Sequence, residues 1–389
     1  MSMSVTAETL VLSHENISEM SPDPTADRRA DIDAKQARVA TLLQECKCEG
    51  LLVLDPDNFT WLSSGAAARG ILNPADLPAL YFTADGRWVI ARNVDSQRLF
   101  DEELDGLGFQ LKEWPWHWGR TQLLADLCQG RAVACDEAVP GSKPIADRLQ
   151  SMRRTLTAYD RACLRALGAI VSHALEATCR TLTPGETERE IAGQLAHRLM
   201  HRGVQTLYVG VAADGRSRKY RHFGFTAAPV QTHCLAMLTG RKYGLCASAS
   251  RTVCFGAPDS ALQKEHNAVC KIHTSYLAST WPDAVPSQIL AAGKRVFQVS
   301  GAEHEWLLGP QGHVTGRTPV ELALTAQTGD LFQPGWAITW NPTVGAASSC
   351  DTYLVGDDGP ETITAVESWP VKRIRIQGAE FTRPDILQR

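Results

Sequence analysis

Apolar positions along the chain alternate between helix-like and strand-like spacing, in an order that repeats. In "AKQARVATLLQECKCEG", Val39, Leu42 and Leu43 share one helical face and Gly50 ends the run. "LLVLD" follows as a buried strand, and "ALYFTADGRWVIARN" reads as a hairpin turning at Asp85-Gly86. These elements predict a smaller α/β N-terminal domain over residues 35–152. The polar, proline-containing "SPDPTADRRADID" before it predicts a flexible tail over residues 1–34.

A long helical pattern then runs to about Arg180, followed by "TLTPGETEREIAGQLAHRLMHRG". Here Thr187 and Glu190 suit a capping box, in which hydroxyl and carboxylate each satisfy an orphan backbone N–H. Ile191, Leu195 and Leu199 stack at four-residue spacing, and Gly203 ends the helix. "TLYVGVA", "CLAMLTG" and "GLCASASRTVCF" read as strands. The same order returns with a helix from about Asp259 to Thr280, then "TWPDAVPSQILAAGKRVFQVSG", then strands at "GWAITWNP", "DTYLVGDDG" and "ETITAV". Two copies of helix, helix, strands predict a pseudo-twofold α+β domain over residues 153–389, its sheets curved around a central cleft.

A length of 389 residues favours two domains, and 44% apolar with 21% charged residues is ordinary globular composition. The net charge of −4 offers no general attraction to nucleic acid or an anionic membrane, so a small-molecule or protein partner is expected. Apolar runs are far shorter than a bilayer span, and the first residues lack the pattern of a secretory signal. Eleven scattered cysteines without a Cys-x-x-Cys pair predict neither a zinc knuckle nor a disulfide framework, and suit reduced core residues of a cytoplasmic protein. The tryptophans of "WPWHWG" suit a domain or dimer interface.

Three stretches, "TLTPGETEREI", "GLCASASRTVCFG" and "WNPTVGAASSCDTYLVGDDGPETIT", together resemble the creatinase/aminopeptidase P family over about residues 35–375. The resemblance implies a pita-bread C-terminal domain with a creatinase-like N-terminal domain, and a homodimer by analogy with creatinase. Metallopeptidases of that family bind two divalent ions with two aspartates, a histidine and two glutamates. By resemblance those positions fall at Met237, at Ser248 (with Ser250 and Arg251 of the motif kept), near Pro310, at Asn341 and at Cys350. Two ions need oxygen or imidazole donors with compensating negative charge, which this set does not supply. No metal and no cofactor are therefore expected. Asp351 cannot replace the glutamate at Cys350, because a one-residue shift in a strand points to the opposite face.

The resemblance to creatinase, which works without metal, makes His222 of "RKYRHFGFTAAP" an acid–base candidate; otherwise it is a hydrogen-bonded loop histidine. Cys350 is either a nucleophile facing the cleft or a small residue filling the space of a lost carboxylate. Arg221 and Arg251 suit a substrate carboxylate, although Arg251 better suits a structural anchor of neighbouring backbone. Met237, Ser248 and Asn341 line the same expected pocket. His313 and Glu321 of "GHVTGRTPVE" resemble the family's substrate-binding turn, with the histidine displaced along the chain. Two functions follow as expectations: a metal-independent hydrolase of a small amide, amidine or amino-acid derivative, or a catalytically inactive pita-bread pseudoenzyme that binds a peptide or small molecule. A metal-dependent Xaa-Pro aminopeptidase is the third.

Overall fold

The computed structural model describes residues 26–365, 368–376 and 378–389. It opens with helix α1 (Ala26–Cys46), strand β1 (Gly50–Val53) and helix α2 (Pro56–Leu62). Asp55 caps α2, its Oδ1 accepting from the backbone N of Asp57 and Asn58. The expected hairpin is β2 (Ala79–Phe82) and β3 (Arg87–Arg92). Helix α3 (Ser96–Leu99), β4 (Gln110–Trp114), α4 (Thr121–Cys128), β5 (Val133–Cys135) and β6 (Ser142–Pro144) complete the domain, and α5 (Ala146–Arg154) leads out of it. The strands form one sheet in the order β4-β3-β2-β1-β5-β6. Alternation sends Leu51 and Val53 to the α1 side, with Val39 and Leu43, and Leu52 and Leu54 to the α4 side, with Leu124 and Leu127.

The tail expected over residues 1–34 does not reach residue 34, because α1 already begins at Ala26. Ile32 is in the core, and buried Lys35 donates to Asp31 Oδ2 (2.5 Å), Ser64 Oγ (3.1 Å) and Asp160 Oδ1 (3.1 Å). Ionised side chains at such depth persist only when paired, so Asp31, which reads as tail, is part of a buried contact to the rest of the protein. Residues 1–25 lie outside the described residues. The expected boundary at 152/153 falls inside α5.

Beyond α5 come α6 (Ala158–Thr181), α7 (Glu188–Met200), β7 (Gln205–Ala213), β8 (His233–Lys242) and β9 (Leu245–Cys254). Capping boxes start both helices, Thr157 with Asp160 and, as its sequence predicts, Thr187 with Glu190. The order then repeats: α8 (Ser260–Ala278), α9 (Pro286–Val299), β10 (Gly312–Thr315), β11 (Leu322–Ala323), β12 (Ala337–Trp340), β13 (Thr343–Val344), β14 (Ala347–Ser348), β15 (Asp351–Gly356) and β16 (Gly359–Thr362). A C-terminal hairpin, β17 (Val371–Ile376) and β18 (Ala379–Pro384), is followed by β19 (Leu387–Gln388).

The first half builds the sheet β7-β8-β9-β19 and the second the sheet β11-β10-β12-β15-β16. Helices α6 and α7 cover the first through Leu167, Leu195, Leu238 and Ala247; α8 and α9 cover the second through Val269, Phe297, Ile338 and Trp340. A Cβ at Gly293 would stand 2.0 Å from the Tyr276 ring, so this glycine lets α9 close on α8 while Tyr276 stacks on Trp340 at 4.7 Å. The sheets join where β9 runs beside β15: Ser250 N donates to Cys350 O, and Ser248 N to Thr352 Oγ1, both at 2.9 Å. This is the pita-bread arrangement, with helices outside and two sheet faces turned to one cleft.

Candidate functional site

Strand alternation decides what lines the cleft. Ala236, Leu238, Ala247 and Ala249 point to the α6 side of the first sheet, so Met237, Thr239, Ser248 and Ser250 occupy the other face. In the second sheet His313 stands opposite Thr339, and Thr339 opposite Thr352. The hydroxyls then link the halves. Thr339 Oγ1 lies 3.2 Å from Thr352 Oγ1, Thr352 Oγ1 donates to Ser248 O at 3.0 Å, and Ser248 Oγ lies 2.8 Å from Thr239 Oγ1. A row of neutral, mutually satisfied hydroxyls crosses the cleft.

Beside this row the cleft is apolar. Met237 and Cys350 form one buried cluster with Ala212, Phe223 and Leu235, and Tyr208 packs against it. Gly210 makes the cluster possible: a Cβ there would stand 2.4 Å from Tyr208 Oη and 2.9 Å from the Phe223 ring. Burial pushes the Cys350 thiol well up from its ordinary pKa, with Asp351 adding to the shift. The packing fits the space-filling role.

Of the other expected site residues, Asn341 is half-buried at the end of the same strand face as Thr339, its Oδ1 accepting from Ser348 Oγ at 3.1 Å. Pro310 is exposed ahead of β10, and His313 stands on the cleft face of that strand. Burial holds the His313 imidazole down to about 4. Its ring nitrogens have no hydrogen-bond partner among the described residues, while every hydroxyl of the row has one.

The remaining predictions separate from the cleft. His222 is exposed, and its neighbour Phe223 turns inward in its place. Arg221 forms an ion pair with Glu305 and donates to Gly345 O at 3.2 Å. Arg251 is wholly buried and structural, donating to Asp351 Oδ1 (3.1 Å), Ser250 O (2.8 Å) and Thr364 O (3.1 Å). Asp351, which Arg383 grips from its other oxygen, points away from the cleft as strand alternation requires. Glu321 is also structural, receiving Arg153 Nε at 3.0 Å and Arg317 N at 2.9 Å, which ties α5 to the turn after β10. Sequence reasoning missed Thr239, Thr339 and Phe223 as cleft residues. The period of two from Met237 and Asn341 marks the threonines; nothing local marks Phe223.

The family's pair of divalent ions does not fit this donor set. The positions hold a thioether, a hydroxyl, an amide and a thiol, with one imidazole nearby. Among the described residues no three His, Cys, Asp or Glu side chains come together in a way that holds a metal ion.

The model of metallopeptidase family M24 matches residues 162–368, more than half of the chain, and the chain belongs to that family. It is 22% identical over 226 residues to the probable dipeptidase PepE of Mycobacterium tuberculosis, covering 56% of this chain and 60% of that relative. It therefore spans less than two thirds of that relative's length. To the Xaa-Pro dipeptidase of Lactobacillus helveticus it is 22% identical over 309 residues, covering 70% of this chain and 81% of the relative. In structure it is similar to the Xaa-Pro dipeptidase from Bacillus anthracis, with a TM-score of 0.73 at 16% identity, over 92% of this chain and 99% of that one. That likeness concerns the fold.

Proposed function

We propose that this chain is an M24 pseudoenzyme: a pita-bread protein that binds a short peptide or small molecule in its cleft and does not hydrolyse peptides with metal. The packing of Met237 and Cys350 against Phe223 and Leu235 carries this reading, because it fills with apolar atoms the space where carboxylates would have to stand. A carboxylate introduced there would meet no cation, and a divalent ion would meet one neutral imidazole. The activity in the relatives' names belongs to those proteins. Removing metal with a chelator, dialysing against manganese, cobalt or zinc, and measuring bound metal beside cleavage of Xaa-Pro dipeptides tests the proposal. Less than one-tenth equivalent of metal and no cleavage are expected, to within about a tenth of total protein. Two tightly held equivalents with chelator-sensitive cleavage overturn it.

His313 supports a second reading, a metal-independent hydrolase of a small amide or amidine. Its imidazole is neutral, lacks a protein partner and stands beside the hydroxyl row, where it can exchange a proton with a bound ligand. Metal-free turnover lost in His313→Ala and kept in His222→Ala favours this reading over the first.

The protein works as a homodimer in a reducing, cytoplasmic setting. Trp116 and Trp118, each 63% exposed, are apolar surface for a partner copy, and all eleven cysteines are unpaired. Among the described residues no helix is long and apolar enough to cross a membrane. Sedimentation at micromolar concentration tests the dimer.

A further inference from the structure

We propose that the groove between the two domains is a second ligand site, which takes a small carboxylate with an apolar body. One wall comes from α2 and the segment 65–78. The other comes from residues 200–205, between the end of α7 and the start of β7, and from the tip of the β8–β9 hairpin at 241–244. The groove encloses about 610 Å³, within the range of roughly 300–1,000 Å³ in which small-molecule pockets fall. None of the cleft residues described above lines it. Its apolar lining includes Phe59, Leu77, Pro78, Met200 and Val204. Met200 is 66% exposed, an apolar side chain left open to solvent at the rim.

The groove has a fixed shape. Tyr243 (φ 55°) and Gly244 (φ 65°) are both left-handed at the hairpin tip. A Cβ on Gly244 would stand 1.8 Å from Thr60 Cγ2, and one on Gly65 2.9 Å from Tyr243 O. These two glycines let the tip seat directly on α2 and close one end of the groove. Arg317 Nη1 holds the turn by donating to Tyr243 O at 3.0 Å. A left-handed tyrosine persists only where surrounding structure fixes it, and such positions gather at ligand sites.

The charges along the groove leave one cation over. Arg241 pairs with Asp57 Oδ1 at 2.6 Å, and Arg69 with Glu103 at 3.5 Å. Lys242 Nζ donates to the carbonyl of Arg202 at 2.8 Å and stands 5.0 Å from the Tyr243 ring centroid. Among the described residues no carboxylate pairs with it. One surplus positive charge beside an apolar lining matches one carboxylate on an apolar body.

Calorimetric titration with 3-phenylpropionate, and with its neutral amide, tests the site. The variants are Lys242→Met and Lys242→Gln, Ala68→Trp to fill the groove, and Asn341→Ala in the cleft. Circular dichroism and Tm confirm that each is folded. The acid is expected to bind one-to-one, the amide and both Lys242 variants about tenfold more weakly, and Ala68→Trp not at all. Asn341→Ala binds like the parent. Equal affinity for acid and amide, no saturable binding of the acid, or loss in Asn341→Ala with retention in Ala68→Trp each overturns the proposal. Metal content and peptide cleavage do not enter this measurement, so it stands apart from the reading of the cleft.

Discussion

Thr352 and Ser248 hold the two halves of the pita-bread domain together by a reciprocal pair of hydrogen bonds. Ser248 N donates to Thr352 Oγ1 at 2.9 Å, and Thr352 Oγ1 donates to Ser248 O at 3.0 Å. Both residues are buried. Thr352→Val keeps the shape and removes the oxygen, leaving a buried N–H and C=O unsatisfied. Its cost is expected to be about 2–3 kcal/mol by urea unfolding, because an orphaned buried group loses its full desolvation energy. Thr352→Ser restores the hydroxyl and is expected to recover more than half of that. A loss below about 0.5 kcal/mol in the valine variant would show that the staple is dispensable.

The apolar filling of the cleft predicts a pH-dependent penalty for putting a family carboxylate back. Met237→Asp buries a carboxyl group among Phe223, Leu235 and Cys350. Burial without a cation raises its pKa above the unfolded value, so the unfolded state releases the proton first. Sign and window follow: the penalty is small below pH 4, grows as pH rises through the unfolded carboxyl range, and is about 3 kcal/mol at pH 7. Met237→Leu keeps volume and stays within about 1.5 kcal/mol of the parent at every pH. Denaturation curves at pH 4.5 and 7.5 compare them. A Met237→Asp protein as stable as the parent at pH 7.5 would mean that water or a cation reaches this position.

Which parts of this architecture were legible depended on how far apart the deciding contacts lie. The α7 start was visible because Thr187 and Glu190 are three residues apart, and the repeat of helices and strands because each period is local. Asp351 was assigned to the far face by alternation alone, and Arg251 and Arg383 bind it there. The start of α1 was hidden, since Asp31 finds Ser64 across 33 residues. Histidine and phenylalanine at 222 and 223 are adjacent, and only the packing against Met237 and Tyr208 decides which one turns inward. The glycine turn of "GPQGHVTG" put the family histidine near Pro310; pairing of β10 with β12 puts His313 opposite Thr339. Glu321 looked like a ligand-binding carboxylate because its partner, Arg153, is 168 residues away.

Cys350 is expected to resist alkylation in the folded protein. Its side chain shares the buried cluster, and its thiol is pushed far from ionisation. Cys48 is the one cysteine with intermediate exposure. Brief iodoacetamide treatment at pH 8, followed by peptide mass spectrometry, is expected to modify Cys48 more than about tenfold faster than Cys350, with the difference vanishing in urea. Fast native labelling of Cys350 would restore it as a nucleophile.

His313 predicts how stability changes in mild acid. Its pKa is about 4 in the folded protein because burial disfavours the charged ring, against about 6.5 for an unfolded histidine. The unfolded chain therefore binds more protons between those values. The contribution of His313 is fully present above pH 6.5 and is lost as pH falls toward 4, by on the order of 2–3 kcal/mol. In His313→Gln that part of the pH dependence disappears, so the parent loses more stability than the variant between pH 7 and 4.5. An NMR titration of the ring in the folded protein checks the same point independently. A midpoint near 6.5 would mean that solvent or a carboxylate reaches the imidazole, and the neutral, unpartnered base of the second functional reading would no longer exist.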